Sequence, residues 1–298
     1  MPDSPDLTLQ LAAFAGRHAL ALIAAAIAGT IALVWLGARA TRPWRHAGAD
    51  PAAARRLPLR IVAAVVLLGG VLFGALADEL REGEAMERFD AALAAALRAG
   101  LDDRVLRATS WLTRLGDGPV QTALGAVVAL GLLAARERLM AVTWSLALLG
   151  NGLMLTPTLK ALFARARPPH DHGWLAADGF SFPSGHASGS MVFFGLLALL
   201  AARLLDGWAR RLAVAICLAL LVAVGASRVL LQVHYASDVI AGFAVGAAWM
   251  VVCVALAEAW AARRAGSHGA QRAAAGSGSG SQHAAAATAS ELDRRPPS

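Results

Sequence analysis

Three short stretches of this 298-residue chain hold side chains that together suit a phosphoryl group. In the first, Lys160 and Arg167 are seven residues apart, so on a continuing helix they share a face, and Pro168 then ends that helix. Of 27 basic residues, Lys160 is the single lysine. A chain that uses arginine almost everywhere else keeps the compact ammonium once, and the two cations are not equivalent toward phosphate. The second stretch, Pro183-Ser184-Gly185-His186, opens an apolar run. A helix starting there directs free N–H groups outward, Gly185 lets a ligand approach the backbone, Ser184 can cap or donate, and His186 can exchange protons at the mouth. The third contains Ser227, Arg228, His234, Tyr235 and Asp238. His234 and Asp238 are one helical turn apart, and a carboxylate on one imidazole nitrogen leaves the other free to attack.

Each stretch also has a plainer reading. The first, taken alone, reads better as long cations snorkelling to an interface. The second is equally an ordinary Pro/Ser/Gly helix start. The third is a salt-bridged loop pair, although arginine, histidine and aspartate are costly beside hydrocarbon and mark function there.

The elements that must carry these residues are membrane helices. The chain is 57% apolar with a mean hydropathy of +0.56, above the roughly 45–50% of soluble domains. The excess lies in seven apolar blocks, at 19–38, 61–77, 120–135, 139–157, 187–205, 212–226 and 239–260. Their lengths approach a bilayer span, and a lipid-exposed backbone must satisfy its own hydrogen bonds as helix. The expected fold is all-α, a polytopic membrane bundle. The basic gaps at 39–60, at Arg136 and Arg138, at Arg203, Arg210 and Arg211, and in the tail alternate along the chain. The positive-inside rule makes them cytoplasmic and puts segments 78–118, 163–186 and 227–238 outside. All three phosphate-handling stretches then meet at one membrane surface. The net charge of +7 follows from those gaps and gives no case for nucleic acid.

The ordered set K-x6-RP, PSGH and SR-x5-H-x3-D resembles the signature of the type 2 phosphatidic-acid phosphatase superfamily, the lipid phosphate phosphatases. Related acid phosphatases and vanadium haloperoxidases share it. Every signature residue is present, and the resemblance covers roughly 61–260, six spans, leaving the first block outside as one extra N-terminal span. It implies that His234 attacks phosphorus to form a phosphohistidine, that Asp238 orients it, and that His186 protonates the leaving alkoxide and then assists water. Lys160, Arg167, Ser184, Gly185 and Arg228 would hold the phosphoryl oxygens. No metal or cofactor is expected. The expected partners are membrane lipids and a lipid phosphate or diphosphate: undecaprenyl diphosphate, phosphatidic acid or phosphatidylglycerophosphate. The expected location is a bacterial inner membrane with the site facing the periplasm and the C-terminus in the cytoplasm. A phosphotransferase, a haloperoxidase-like site and a catalytically silent lipid binder on the same fold are the alternatives.

The remaining features carry less. The first block reads as an anchor rather than a cleaved signal, because Asp3 and Asp6 precede it with only Arg17. Region 1–60 is then an anchor with a basic loop, 61–262 the membrane domain, and 263–298 a disordered tail rich in Gly, Ser and Ala. Phe89, Leu93 and Leu97 recur at helical spacing among charged residues, as in an amphipathic helix lying on the membrane or packed on the spans. Tyr235 reads as an interfacial anchor, His170, Asp171 and His172 as an exposed polar loop, and Trp174 as bordering the entry or the interface. Arg165 is near the first stretch but outside the signature. Cys217 and Cys253 read as small buried hydrophobes.

Overall fold

Runs of leucine, alanine and valine, broken mainly at charged or glycine-bearing gaps, become helices in the structure, a computed structural model that describes residues 6–40, 59–169, 173–174 and 177–292. His170, Asp171, His172 and most of the first basic gap lie outside the described residues. The helices are α1 (Leu7–Arg17), α2 (Ala19–Ala40), α3 (Leu59–Glu82), α4 (Ala85–Gly100), α5 (Asp103–Leu112), α6 (Gly118–Ala134), α7 (Arg138–Gly150), α8 (Thr156–Phe163), α9 (Gly185–Leu204), α10 (Gly207–Leu230) and α11 (Ala236–Leu292). A 3₁₀ turn, Thr113–Gly116, joins α5 to α6, and a π-helical turn, Asn151–Leu155, joins α7 to α8. Among the described residues there is no strand. Two units are distinguished, Met1–Val254 and Ala255–Ser298; all that follows concerns the first. In the second, the α11 backbone is helical as far as Leu292.

Among the described residues, six helices are long and apolar enough to cross a membrane. A seventh span arises if α5, its 3₁₀ turn and α6 count as one segment bent by 47°. The protein is a multi-pass, all-helical membrane protein. Leu68 and Leu153 are each 73% exposed, which hydrocarbon accommodates and water does not.

Helix α9 is central: half of its span is buried, against none of α2. Its Val192, Phe193 and Phe194 pack with Trp144 of α7 and with Leu221 and Val224 of α10. Trp144 meets Phe193 edge to face, with ring centroids 5.5 Å apart. A polar seam ties α9 to its neighbours, since apolar contact alone gives helices little preference for one another over lipid. Gln121 donates to Ser190 (3.1 Å), Asn151 donates to Ser188 (3.3 Å), and the Thr156 and Ser188 hydroxyls share a hydrogen bond (2.9 Å). The start of α11 lies backbone to backbone on the start of α9. A Cβ at Gly242 would sit 2.6 Å from the Ser184 carbonyl oxygen, and one at Gly246 would sit 2.7 Å from that of Ser188. Small residues four apart permit this approach, and it fixes Asp238 relative to His186.

Helix α4 packs on the bundle through its apolar stripe. Leu93 and Leu97 join Ala12 of α1 and Leu230 of α10 in one buried cluster. On the same helix Asp90 is only 2% exposed, an unusual place for a carboxylate.

Candidate active site

The first stretch departs from the expected continuous helix. Helix α8 ends at Phe163, and Ala164 has φ +45°, the left-handed conformation that commonly closes a helix. Arg167 therefore does not share a helix face with Lys160, and Pro168 is not what stops the helix. The turn at Ala164 lets Arg165 and Arg167 leave in different directions. The following loop is held by Phe182, fully buried against Phe163 and Phe73 at centroid distances of 5.0 and 5.5 Å. From that loop Phe180 offers its carbonyl to both Lys160 Nζ and Arg167 Nη2, which brings the two cations together after all.

They meet in a cavity of about 360 Å³. Lys160, Arg167, Gly185, His186, Arg228 and His234 line it, together with Asp117, Asp178 and the chain at 177–180. The end of α8, the start of α9, the end of α10 and the turn before α11 thus converge at one end of the bundle. Ser184 is different. It is fully buried, caps α9 by accepting from the Ala187 N–H, donates its own N–H to the Asp238 carbonyl, and does not line the cavity.

The tautomer of His234 follows from its neighbours. Arg167 Nη1 lies 3.1 Å from Nε2. A guanidinium only donates, so Nε2 carries the lone pair and the proton is on Nδ1. Nδ1 in turn faces Asp238 Oδ2 at 3.4 Å and the Ser181 hydroxyl at 3.2 Å. Ser181 donates to the same Asp238 oxygen, so it can accept from Nδ1–H and relay the carboxylate's hold on the ring. The Tyr235 N–H also donates to that oxygen, at 2.8 Å. The free nitrogen of His234 therefore looks into the cavity. Burial pushes the His234 pKa down to about 3, against the raising effect of Asp238, so the ring is neutral and nucleophilic across the ordinary pH range.

His186 enters from the other side, its Nε2 donating to Asp117 Oδ1 at 2.8 Å. Arg228 is 4% exposed; Nη1 donates to Thr113 at 2.8 Å, and Nε has no partner. A buried guanidinium short of acceptors is satisfied by an anion in the cavity it lines. Among the described residues, none of Lys160, Arg167 and Arg228 has a carboxylate within ion-pair distance. Burial lowers the Arg167 pKa, although Asp238 and Asp178 oppose it. Three cations with no carboxylate pair, collected on one small volume, form an electrostatic seat for a multiply charged anion. Among the described residues, no group of three His, Cys, Asp or Glu side chains could hold a metal ion.

Sequence reasoning missed Ser181, Asp117 and Thr113, and it left Arg165 and Asp90 aside. Each acts through a partner at least 53 residues away, and no local pattern announces such a pairing.

The PAP2 superfamily profile matches residues 138–262, the stretch from α7 into α11 that carries all the signature residues. Lipid A 1-phosphatases of Rhizobium johnstonii and Rhizobium etli are each 38% identical to this chain over 112 residues, 35% of its length. The matched portions are 42% and 44% of those proteins, so the chain spans less than half the length of the curated relatives it matches. Among solved structures, the transmembrane PAP2-type phosphatidylglycerolphosphate phosphatase from Bacillus subtilis superposes with a TM-score of 0.58 at 23% identity. The match covers 66% of this chain and 96% of that one, and it shows a shared PAP2 fold.

Proposed function

We propose that this protein is an integral membrane phosphatase that hydrolyses a lipid phosphate through a phosphohistidine on His234, without a metal, at the outer surface of a bacterial inner membrane. One observation carries the reading: two imidazoles border a single cavity together with three cations that lack carboxylate partners among the described residues. In the reaction Nε2 of His234 attacks phosphorus, and the bond to the lipid oxygen breaks as His186 delivers a proton to it. Water activated by His186 then cleaves the N–P bond and releases phosphate. Lys160, Arg167 and Arg228 bind the phosphoryl oxygens and stabilise the transition-state charge, which is most of what phosphoryl transfer requires of a protein. Gly185 leaves the start of α9 open to the same oxygens. The capping role of Ser184 supports that helix end rather than touching phosphate.

The apolar spans favour a lipid over a soluble ester. The similarity to lipid A 1-phosphatases favours a phosphate on a lipid headgroup, and this chain's substrate is proposed within that class. The decisive measurement is phosphate release by purified protein from a panel: phosphatidic acid, phosphatidylglycerophosphate, lipid A and undecaprenyl diphosphate. The assay is run with and without a strong chelator of divalent ions. Turnover of at least one lipid that survives chelation is expected. No turnover of any, or a loss restored by one metal, overturns the proposal.

A further inference from the structure

Arg165 is two residues from Arg167 yet turns away from the cavity. Its side chain is 8% exposed and lies between two buried carboxylates. Nη1 donates to Asp238 Oδ1 at 2.7 Å and to Ser237 Oγ at 2.7 Å, and Nη2 donates to Asp90 Oδ2 at 3.0 Å. The guanidinium also stacks over Tyr235, 4.2 Å from the ring centroid. Asp90 on α4 is further held by the Ser237 hydroxyl and N–H. Asp238 is fully buried. With Oδ1 committed to Arg165, its Oδ2 is the oxygen left for Ser181, the Tyr235 N–H and His234 Nδ1.

We propose that Asp90 and Arg165 are positioning residues for the nucleophile: Arg165 clamps Asp238 in the rotamer that presents Oδ2 to His234, and Asp90 clamps Arg165. The inference rests on the reading of His234 as nucleophile. Charge counting supports it. Asp90, Arg165 and Asp238 together present one net negative charge to the imidazole. Without Arg165 two carboxylates face each other in a dry pocket, where one must take up a proton. Asp238 then also loses the donor that holds Oδ1, so its carboxylate can turn Oδ2 away from Nδ1, and Arg167 alone is left to keep the lone pair on Nε2, which is lost for part of the population. The surface helix α4 thereby becomes part of the catalytic apparatus without touching substrate.

The test uses the full chain in detergent and the variants Arg165→Ala, Asp90→Ala, their double, and the milder Asp90→Asn and Arg165→Lys. Arg165→Ala should lower kcat by at least about 30-fold and Asp90→Ala by about 5- to 10-fold, on the scale of a lost tautomer-fixing group. KM and inhibition by inorganic phosphate should stay within about threefold, because neither residue lines the cavity. The double variant should match Arg165→Ala within about twofold, since Asp90 acts only through Arg165. Nitrogen-15 histidine NMR, with His234 assigned by its absence in His234→Asn, should show the Nδ1–H tautomer in the wild type and a mixture in Arg165→Ala. If that variant does not fold, Arg165→Lys and Asp90→Asn carry the same comparison in milder form. Additive losses, parallel loss of phosphate inhibition, or an unchanged tautomer overturn the proposal. A wild type with no turnover would sink the phosphatase reading alone, because the tautomer measurement needs no substrate.

Discussion

In the proposed reaction His234 attacks from Nε2, the nitrogen that keeps its lone pair because Arg167 only donates to it while Asp238 and Ser181 engage the other. Replacing His234 with alanine should leave an inserted, monodisperse protein with turnover below about 10⁻⁴ of wild type; activity within about tenfold of wild type would remove it as nucleophile. Replacing His186 should cost about 10²–10⁴ on a lipid ester, in line with loss of a general acid, and much less on nitrophenyl phosphate, whose leaving group needs no proton. Equal losses on the two substrates would contradict the assigned acid. The depressed pKa of His234 also has a stability consequence. Between its ordinary value near 6.5 and its folded value of about 3, the unfolded chain binds a proton that the folded chain refuses. Stability is therefore whole above about pH 6.5 and declines as the pH falls toward 3. The thermal midpoint in detergent should drop between pH 6.5 and 4, and the drop should be smaller in His234→Asn; identical curves would deny the burial effect. Every residue that lines the proposed phosphate seat, apart from Asp117 and the 177–180 loop, was readable from three short patterns. Apart from Asp238, the residues that orient the two imidazoles were not. Ser181 meets His234 across 53 positions and Asp117 meets His186 across 69, and only the fold creates those encounters.

At the level of elements, apolar length was a good guide to spans and a poor one to their ends. The block at 120–135 needed α5 and a 47° bend to reach crossing length, because Asp117 and Gly118 interrupt the run where the chain must turn in toward His186. The block at 139–157 continues as a helix through a π turn to Phe163 and then stops at Ala164. Arg165 and Arg167 have opposite destinations, a carboxylate pair and the cavity. Helix α4 was legible as amphipathic, but its packing on Ala12 and Leu230 was not. The element contact that matters most for catalysis is α11 on α9. At Gly242 a leucine would drive into the Ser184 carbonyl and Ala187, and overpacking of this kind costs about 1–3 kcal/mol. Gly242→Leu should lower the thermal midpoint and reduce turnover by at least about tenfold, because α11 carries Asp238 and α9 carries His186. Gly74→Ala on α3, where nothing lies within 4 Å, is the control and should be neutral or slightly stabilising. If Gly242→Leu behaved like the control, the close approach would not be what aligns the two histidines.

For the whole molecule, the helices run alternately, so the ends that carry the site are one face of the membrane domain and the Arg136 and Arg210 turns belong to the opposite ends. Arginine placement points that face outward, and the proposed function depends on it: a periplasmic site meets lipids already translocated, a cytoplasmic one meets them at synthesis. Cysteine labelling decides between these. Cys217 and Cys253 are the only cysteines and both lie in spans, so they can be changed to serine to give a clean background. Ala108, exposed on α5, reports the site face because α5 leads into Thr113, the partner of Arg228. Glu137, exposed between α6 and α7, reports the other face. A membrane-impermeant maleimide should label the Ala108→Cys variant in intact spheroplasts and the Glu137→Cys variant only after lysis. The converse pattern would turn the cavity toward the cytoplasm, leave its chemistry intact, and exclude every substrate pool confined to the outer leaflet.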